Sequence, residues 1–274
     1  MTFIIFCWIW SLPLLILAFV FAIPSAVILF PISMVLSCTL QYYYHGKIMP
    51  NSWLRRQMNR IPWHQWFPCN QIHIQKTSII AVHPHGLLCC GALAGIHFVP
   101  KARTVFCVAP ILFYVPVIGW CLRLIGCIPA KYDIMLKTLN MGYPVIVVPG
   151  GVPEIVLAES ADDKQRFERH GFLKIAKQAQ VPVTAIFVRN ECKLFDMIQM
   201  PFLRQRVTLS YYINLPVILP VFWGYYGTWL PKRIPLTIYR CPSAPLEKEK
   251  YKSMLQKMGR HLLTHHSPLR VCND

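Results

Sequence analysis

The first charged side chain in this sequence is Lys47. Residues 1–46 contain no Asp, Glu, Lys or Arg, and Phe3 to Leu40 is close to continuous apolar sequence. One membrane-crossing helix needs about 20 apolar residues, so this run is nearly long enough for two. Pro24-Ser25 divides it into Phe3–Ala22 and Ala26–Leu40, and the second half is short for a full crossing. The pattern predicts a membrane-embedded helical hairpin or two transmembrane crossings, with a single tilted helix as a further alternative. Tyr42, Tyr43 and Tyr44 then form an aromatic belt, followed by Lys47, Arg55, Arg56 and Arg60. Such a positive cluster beside a span marks the cytoplasmic side. A cleaved signal peptide is disfavoured, because no basic segment precedes the run and the run exceeds a signal core. The expected organisation is a hydrophobic anchor at 1–46 and a cytosol-facing domain at 47–274.

Composition narrows the class further. The chain is 55% hydrophobic and carries 28 Lys+Arg against 11 Asp+Glu, a net charge of +17. A disordered chain is apolar-poor, and a soluble nucleic-acid binder has no use for so much apolar surface. The expected partner is a phospholipid bilayer, with no nucleic acid. Eleven cysteines lie mostly within apolar runs, with no CxxC pair and an odd count. Disulfide frameworks and metal sites want regular spacing, so free thiols in a reducing compartment are expected.

Beyond about residue 70, short β-rich runs alternate with helical patterns. Ile79–Val82, Thr104–Val108, Val145–Val148 and Val183–Val188 read as buried strands. Asp133 is placed to cap a helix whose face holds Ile134, Met135, Thr138 and Leu139. Phe172, Ile175, Ala176 and Ala179 mark a second helix, and Tyr251, Leu255, Met258 and Leu262 a third. Val207–Ile213 and Ile234–Arg240 read as later strands extending the sheet. This alternation predicts an α/β fold with a mostly parallel central sheet flanked by helices. Ligands in such sheets sit at the carboxyl ends of the strands.

Two strand ends carry chemistry. His83-Pro84-His85-Gly86 directly follows the first strand. Either imidazole can act as a general base on a hydroxyl, and Gly86 lets the backbone approach a ligand. A metal site is disfavoured, since Cys89 and Cys90 are the only additional ligands nearby and open an apolar helix. The third strand closes on Gly150-Gly151-Val152-Pro153-Glu154, whose glycine N–H groups could face a phosphate or an oxyanion. The first 132 residues contain no Asp or Glu. A carboxylate that orients the histidine must therefore come from later in the chain, and Glu154 is the candidate for His83 or His85. Arg166 and Arg169 precede a helix start and suit anions. Asn190-Glu191 closes the fourth strand and is a candidate lining of the same cleft.

These residues resemble the type-2 diacylglycerol acyltransferase family, which includes monoacylglycerol and wax-ester acyltransferases. His83–Gly86 matches its His-Pro-His-Gly signature, Gly150, Gly151 and Glu154 its Gly-Gly-x-x-Glu, Arg169, Gly171 and Phe172 its Arg-x-Gly-Phe, and Asn190-Glu191 its Asn-Glu. Trp66-Phe67-Pro68 stands where the family carries Tyr-Phe-Pro. The resemblance implies a glycerolipid acyltransferase-like fold in the endoplasmic reticulum membrane, or at a lipid-droplet surface. The active part would face the cytosol. It implies direct transfer of an acyl group from acyl-CoA, as co-substrate, to a neutral lipid alcohol, with no permanently bound cofactor and no metal. On that reading His83, His85 and Glu154 are catalytic. Gly86, Gly150, Gly151, Arg169, Asn190 and Glu191 then contact substrate, and homo-oligomerisation stays open. The glycerophospholipid acyltransferases carry an aspartate five residues after their histidine; here that position is Leu88. A lysophospholipid acyltransferase and a non-catalytic lipid-binding protein are the rival readings.

Overall fold

The computed structural model describes residues 77–92, 104–115, 118–158, 169–213, 221–228, 230–241 and 243–264, with residues 31, 32, 35, 36, 39 and 56. The expected hairpin therefore lies outside the described residues except for five helical positions between 31 and 39. Trp66-Phe67-Pro68 and Arg166 also lie outside them. No helix among the described residues is long and apolar enough to cross a membrane.

Among the described residues eight strands form: β1 (Ile79–His83), β2 (Val105–Val108), β3 (Cys127–Pro129), β4 (Val145–Val147), β5 (Val183–Arg189), β6 (Asp196–Met197), β7 (Phe222–Trp223) and β8 (Thr237–Cys241). Six make one sheet in the order β3-β2-β4-β1-β5-β8, and β6 pairs with β7 apart from it. The pairings β1·β4, β1·β5, β2·β3 and β2·β4 are parallel, and β5·β8 is antiparallel. The mostly parallel sheet expected from the alternation is present. The short run Cys127–Pro129 gave no clear strand signal; it forms the edge of the sheet, where a proline costs no ladder bond.

Among the described residues the helices flanking the sheet include α1 (Ile118–Leu124), α2 (Tyr132–Asn140), α3 (Val152–Leu157), α4 (Gly171–Ala179), α5 (Leu203–Ile213) and α6 (Lys248–Thr264). Alternate residues of each strand face opposite sides, so two cores form. Ile79, Ala81, Val105, Val145, Val183 and Phe187 pack against α2, α4 and α6 through Ile134, Leu139, Phe172, Ile175, Tyr251 and Leu255. On the other side Ile80, Val82, Phe106, Ile146 and Ile186 pack with Leu87, Phe113 and Phe195. The apolar periodicity of α2, α4 and the start of α6 is thus the periodicity of burial. Cys90, Cys127, Cys192 and Cys241 are buried thiols, and Cys89, Cys107 and Cys121 are half-buried thiols, none of them in a disulfide.

Two local expectations are corrected. Val207–Ile213 is the second half of helix α5 rather than a strand. Its β-branched and aromatic residues suit a strand, but the buried positions Arg206, Val207 and Ser210 recur at helical spacing, and α5 packs against α3. Packing overrides propensity here. Asp133 does not cap α2: the N-cap is Lys131, without a side-chain bond, and Asp133 lies in the first turn, where the helix dipole favours its charge.

Candidate active site

Topology brings the three candidate strand ends together. β1 lies between β4 and β5 in the sheet. In register, Ala81 sits opposite Val147 and His83 opposite Phe187. The loop after β1 is therefore flanked by the loop after β4, bearing Glu154, and the loop after β5, bearing Glu191. β2, β3 and β4 lie to one side of β1 and β5 and β8 to the other. A crevice at such a reversal of strand order is where open α/β sheets bind ligands.

The two histidines part company at the end of β1. His83 shares the sheet face of Ile79 and Ala81, is 1% exposed, and shares a 3.2 Å hydrogen bond between Nε2 and the Tyr251 hydroxyl of α6. Tyr251 in turn packs edge-on against Phe172. Burial lowers the His83 pKa to about 3 and raises that of Tyr251, so both are neutral at physiological pH. Unfolded, the imidazole binds a proton below its ordinary value of 6.5, whereas folded it resists one until about pH 3. The stability from burying it neutral is complete above that ordinary value. It is lost as pH falls from there toward the folded value, at about 1.4 kcal/mol per pH unit. Urea midpoints measured across this window are expected to fall more steeply for the wild type than for His83→Gln, which cannot titrate.

His85 is half-buried beyond the strand. Its main-chain N–H donates to Glu154 Oε2 at 2.8 Å. Its Nδ1 lies 2.9 Å from the Gly86 carbonyl oxygen. A carbonyl only accepts, so Nδ1 carries the proton and the neutral ring keeps Nε2 as its acceptor. Cys89 Sγ lies 3.1 Å from Nδ1 and 3.2 Å from Nε2. Burial lowers the His85 pKa; the Gly86 hydrogen bond opposes this, and the Arg169 charge adds to it. The ring is neutral near pH 7, the form a general base requires.

The expected meeting was between an imidazole and the distant carboxylate; the bond that forms instead joins Glu154 to the backbone of the histidine loop. Glu154 is 2% exposed in the first turn of α3, and the bond it makes to His85 goes to the main chain rather than to the ring. It orients the loop that carries the imidazole. Gly150 is required by the same carboxylate, because a Cβ there would fall on top of the Glu154 carboxyl group. A Cβ on Gly151 would lie 3.0 Å from an Arg169 guanidinium nitrogen, so Arg169 borders this loop and His85 alike.

Glu191 works in parallel from the other side. Also 2% exposed, it accepts the Cys90 N–H at 2.6 Å and the Gly91 N–H at 2.8 Å, one on each oxygen. Residues 90–92 are helical, and the first N–H groups of a helix need such acceptors. Gly86 has φ +57, and a Cβ there would lie 2.5 Å from Glu191 Cγ. Any other residue would be strained and would push Glu191 off the helix start. The Asn190 amide donates to the Pro235 carbonyl at 3.1 Å, anchoring the segment before β8. Substituting Glu191 with Ala is expected to lower stability by about 2–5 kcal/mol, by leaving two buried N–H groups without acceptors. Gln, which offers one oxygen and turns a donor toward the other N–H, is expected to rescue little; urea denaturation of both variants checks this.

Sequence reading missed three contacts: Cys89 on His85, Tyr251 beneath His83, and the double cap by Glu191. The four-residue spacing of His85 and Cys89 was a local signal for the first. The others join positions far apart in the chain.

An α/β sheet with a histidine loop held by two buried carboxylates at the reversal of strand order defines a strand-end site of the kind built for small-molecule chemistry. The family described as Diacylglycerol acyltransferase matches residues 18–257, and the chain belongs to that family. It is 23% identical over 167 residues to human 2-acylglycerol O-acyltransferase 3, covering 54% of this chain and 48% of that protein. The match thus spans about half the length of that curated relative. Among solved structures it is similar to the 1-acyl-sn-glycerophosphate acyltransferase PlsC of Thermotoga maritima, at a TM-score of 0.48 and 14% identity, covering 86% of this chain and 95% of that one.

Proposed function

We propose that this chain transfers a fatty acyl group from acyl-CoA directly to the hydroxyl of a neutral lipid: diacylglycerol, monoacylglycerol or a long-chain alcohol. His85 Nε2 removes the hydroxyl proton as the oxygen attacks the thioester carbonyl, and returns it to the CoA sulfur on leaving. Glu154 and Glu191 hold the histidine loop, and Arg169 attracts the phosphates of CoA. The observation that carries this reading is the state of His85: half-buried, neutral, and with Nδ1 engaged by the Gly86 carbonyl so that Nε2 accepts. His83, sealed against Tyr251, supports the loop instead.

A lipid acceptor suits the surroundings. Leu88 in the histidine loop and Ile111, just beyond the end of β2, are apolar and about half exposed, as is Trp120 in α1. Residues 1–46 anchor the protein in the endoplasmic reticulum membrane with this site on the cytosolic side, and the net charge of +17 draws acyl-CoA and anionic lipid toward it.

The test supplies membranes containing the full chain with acyl-labelled palmitoyl-CoA and, separately, diacylglycerol, monoacylglycerol, hexadecanol and lysophosphatidic acid. Labelled neutral ester with stoichiometric CoA release supports the proposal. Label entering only the phosphorylated acceptor makes the protein a lysophospholipid acyltransferase. Lipid binding without CoA release makes it a non-catalytic binder.

A further inference from the structure

Cys89 is not used by the direct transfer, yet its sulfur is on the base. It lies four residues after His85, half-buried, at φ +52, immediately before the helical residues 90–92. Its Sγ lies beside the His85 ring, 3.1 Å from Nδ1 and 3.2 Å from Nε2. With Nδ1 donating to the Gly86 carbonyl, the thiol proton has Nε2 as its acceptor. A thiol within reach of a neutral imidazole whose other nitrogen donates to a third group brings a nucleophile and its base together. The adjacent Cys90 is buried and its N–H is held by Glu191, so the vicinal pair divides into a structural thiol and one that meets the imidazole.

We infer that Cys89 is a second acyl acceptor of this site, taking the acyl group from a thioester to form acyl-Cys89. As His85 Nε2 takes the Sγ proton, Sγ attacks the thioester carbonyl and a new carbon–sulfur bond forms. The bond to the CoA sulfur then breaks, and that sulfur leaves with the proton returned from Nε2. One thioester replaces another, so the step needs no oxidant or further reactant and is reversible. The inference rests on the proposal that acyl-CoA reaches His85. Burial, with the charges of Glu191 and Glu154, keeps the Cys89 thiol protonated, so its attack depends on the imidazole rather than on a standing thiolate. Cys89 and the lipid alcohol then compete for one acyl group at one base.

The experiment incubates membranes containing the full chain with acyl-labelled palmitoyl-CoA, without added alcohol, and reads cysteine peptides by mass spectrometry before and after neutral hydroxylamine. Expected is a hydroxylamine-labile acyl group on Cys89 that declines when hexadecanol is added. It should be absent from Cys89→Ala and also from His85→Ala, whose Cys89 remains alkylatable after denaturation. Cys89→Ser guards against misfolding of those variants: its hydroxyl is expected to carry a hydroxylamine-resistant ester. Ester formation on hexadecanol without acyl-Cys89 overturns the inference and leaves the transfer proposal standing. Label spread over many cysteines regardless of His85 also overturns it. Neither ester nor acyl-Cys89 from protein with native circular dichroism overturns both.

Discussion

Replacing His85 with Ala is expected to lower kcat/KM for acyl transfer by about 10²- to 10⁴-fold, the range a positioned general base contributes, with little change in melting temperature. The ring is half-buried, and its hydrogen bonds run to Gly86 and Cys89 within its own loop, so its removal leaves both cores closed. The main-chain N–H that meets Glu154 survives the substitution. His83→Ala is expected to behave in the opposite way. It removes a buried ring beside Tyr251, opening a cavity in a core shared with Phe172, at a cost of about 2–4 kcal/mol. Its loss of activity should follow the loss of folded protein. Steady-state kinetics and thermal melts on the two variants separate the roles. Equal kinetic losses at unchanged stability would assign the chemistry to both rings.

Gly150→Ala carries the second large effect. Its new Cβ would occupy the position of the Glu154 carboxyl group, and the backbone there lies only three residues beyond the end of β4, so the carboxylate must yield. Displacing it releases the His85 N–H and lets the histidine loop shift. A misplacement of about 1 Å in a catalytic group costs about 10²-fold in rate, and overpacking a filled site costs about 1–3 kcal/mol. Both losses are expected together, read as kcat/KM and as a urea midpoint. Shortening the acid in Gly150→Ala/Glu154→Asp should restore part of the stability, since residues in contact are not additive. A Gly150→Ala protein with native rate and stability would remove Glu154 from the positioning of His85.

These expectations show where sequence reasoning held and where it stopped. Strands β1, β4 and β5 were legible because buried parallel strands are short β-branched runs, and α2 and α4 because one face of each is apolar. α5 was misread: Val207, Tyr211 and Tyr212 favour strands locally, and only packing against α3 makes them helical. Glu154 was legible as the partner of the histidine loop through the absence of any acid in the first 132 residues. That it takes a backbone N–H was not, because which atom a carboxylate meets depends on where α3 begins.

By itself the order of residues determined the sheet's type, the strand ends that hold the candidate residues, and that any carboxylate partner must lie at Asp133 or beyond. All three follow from local periodicity and from counting charges. Only the tertiary structure gives the two histidines, separated by one residue, different surroundings. Strand pleating turns His83 into the helical face against Tyr251, and the turn at Gly86 leaves His85 beside Cys89 with one nitrogen engaged. That difference is made by contacts spanning the 168 positions between His83 and Tyr251, and no local pattern encodes it.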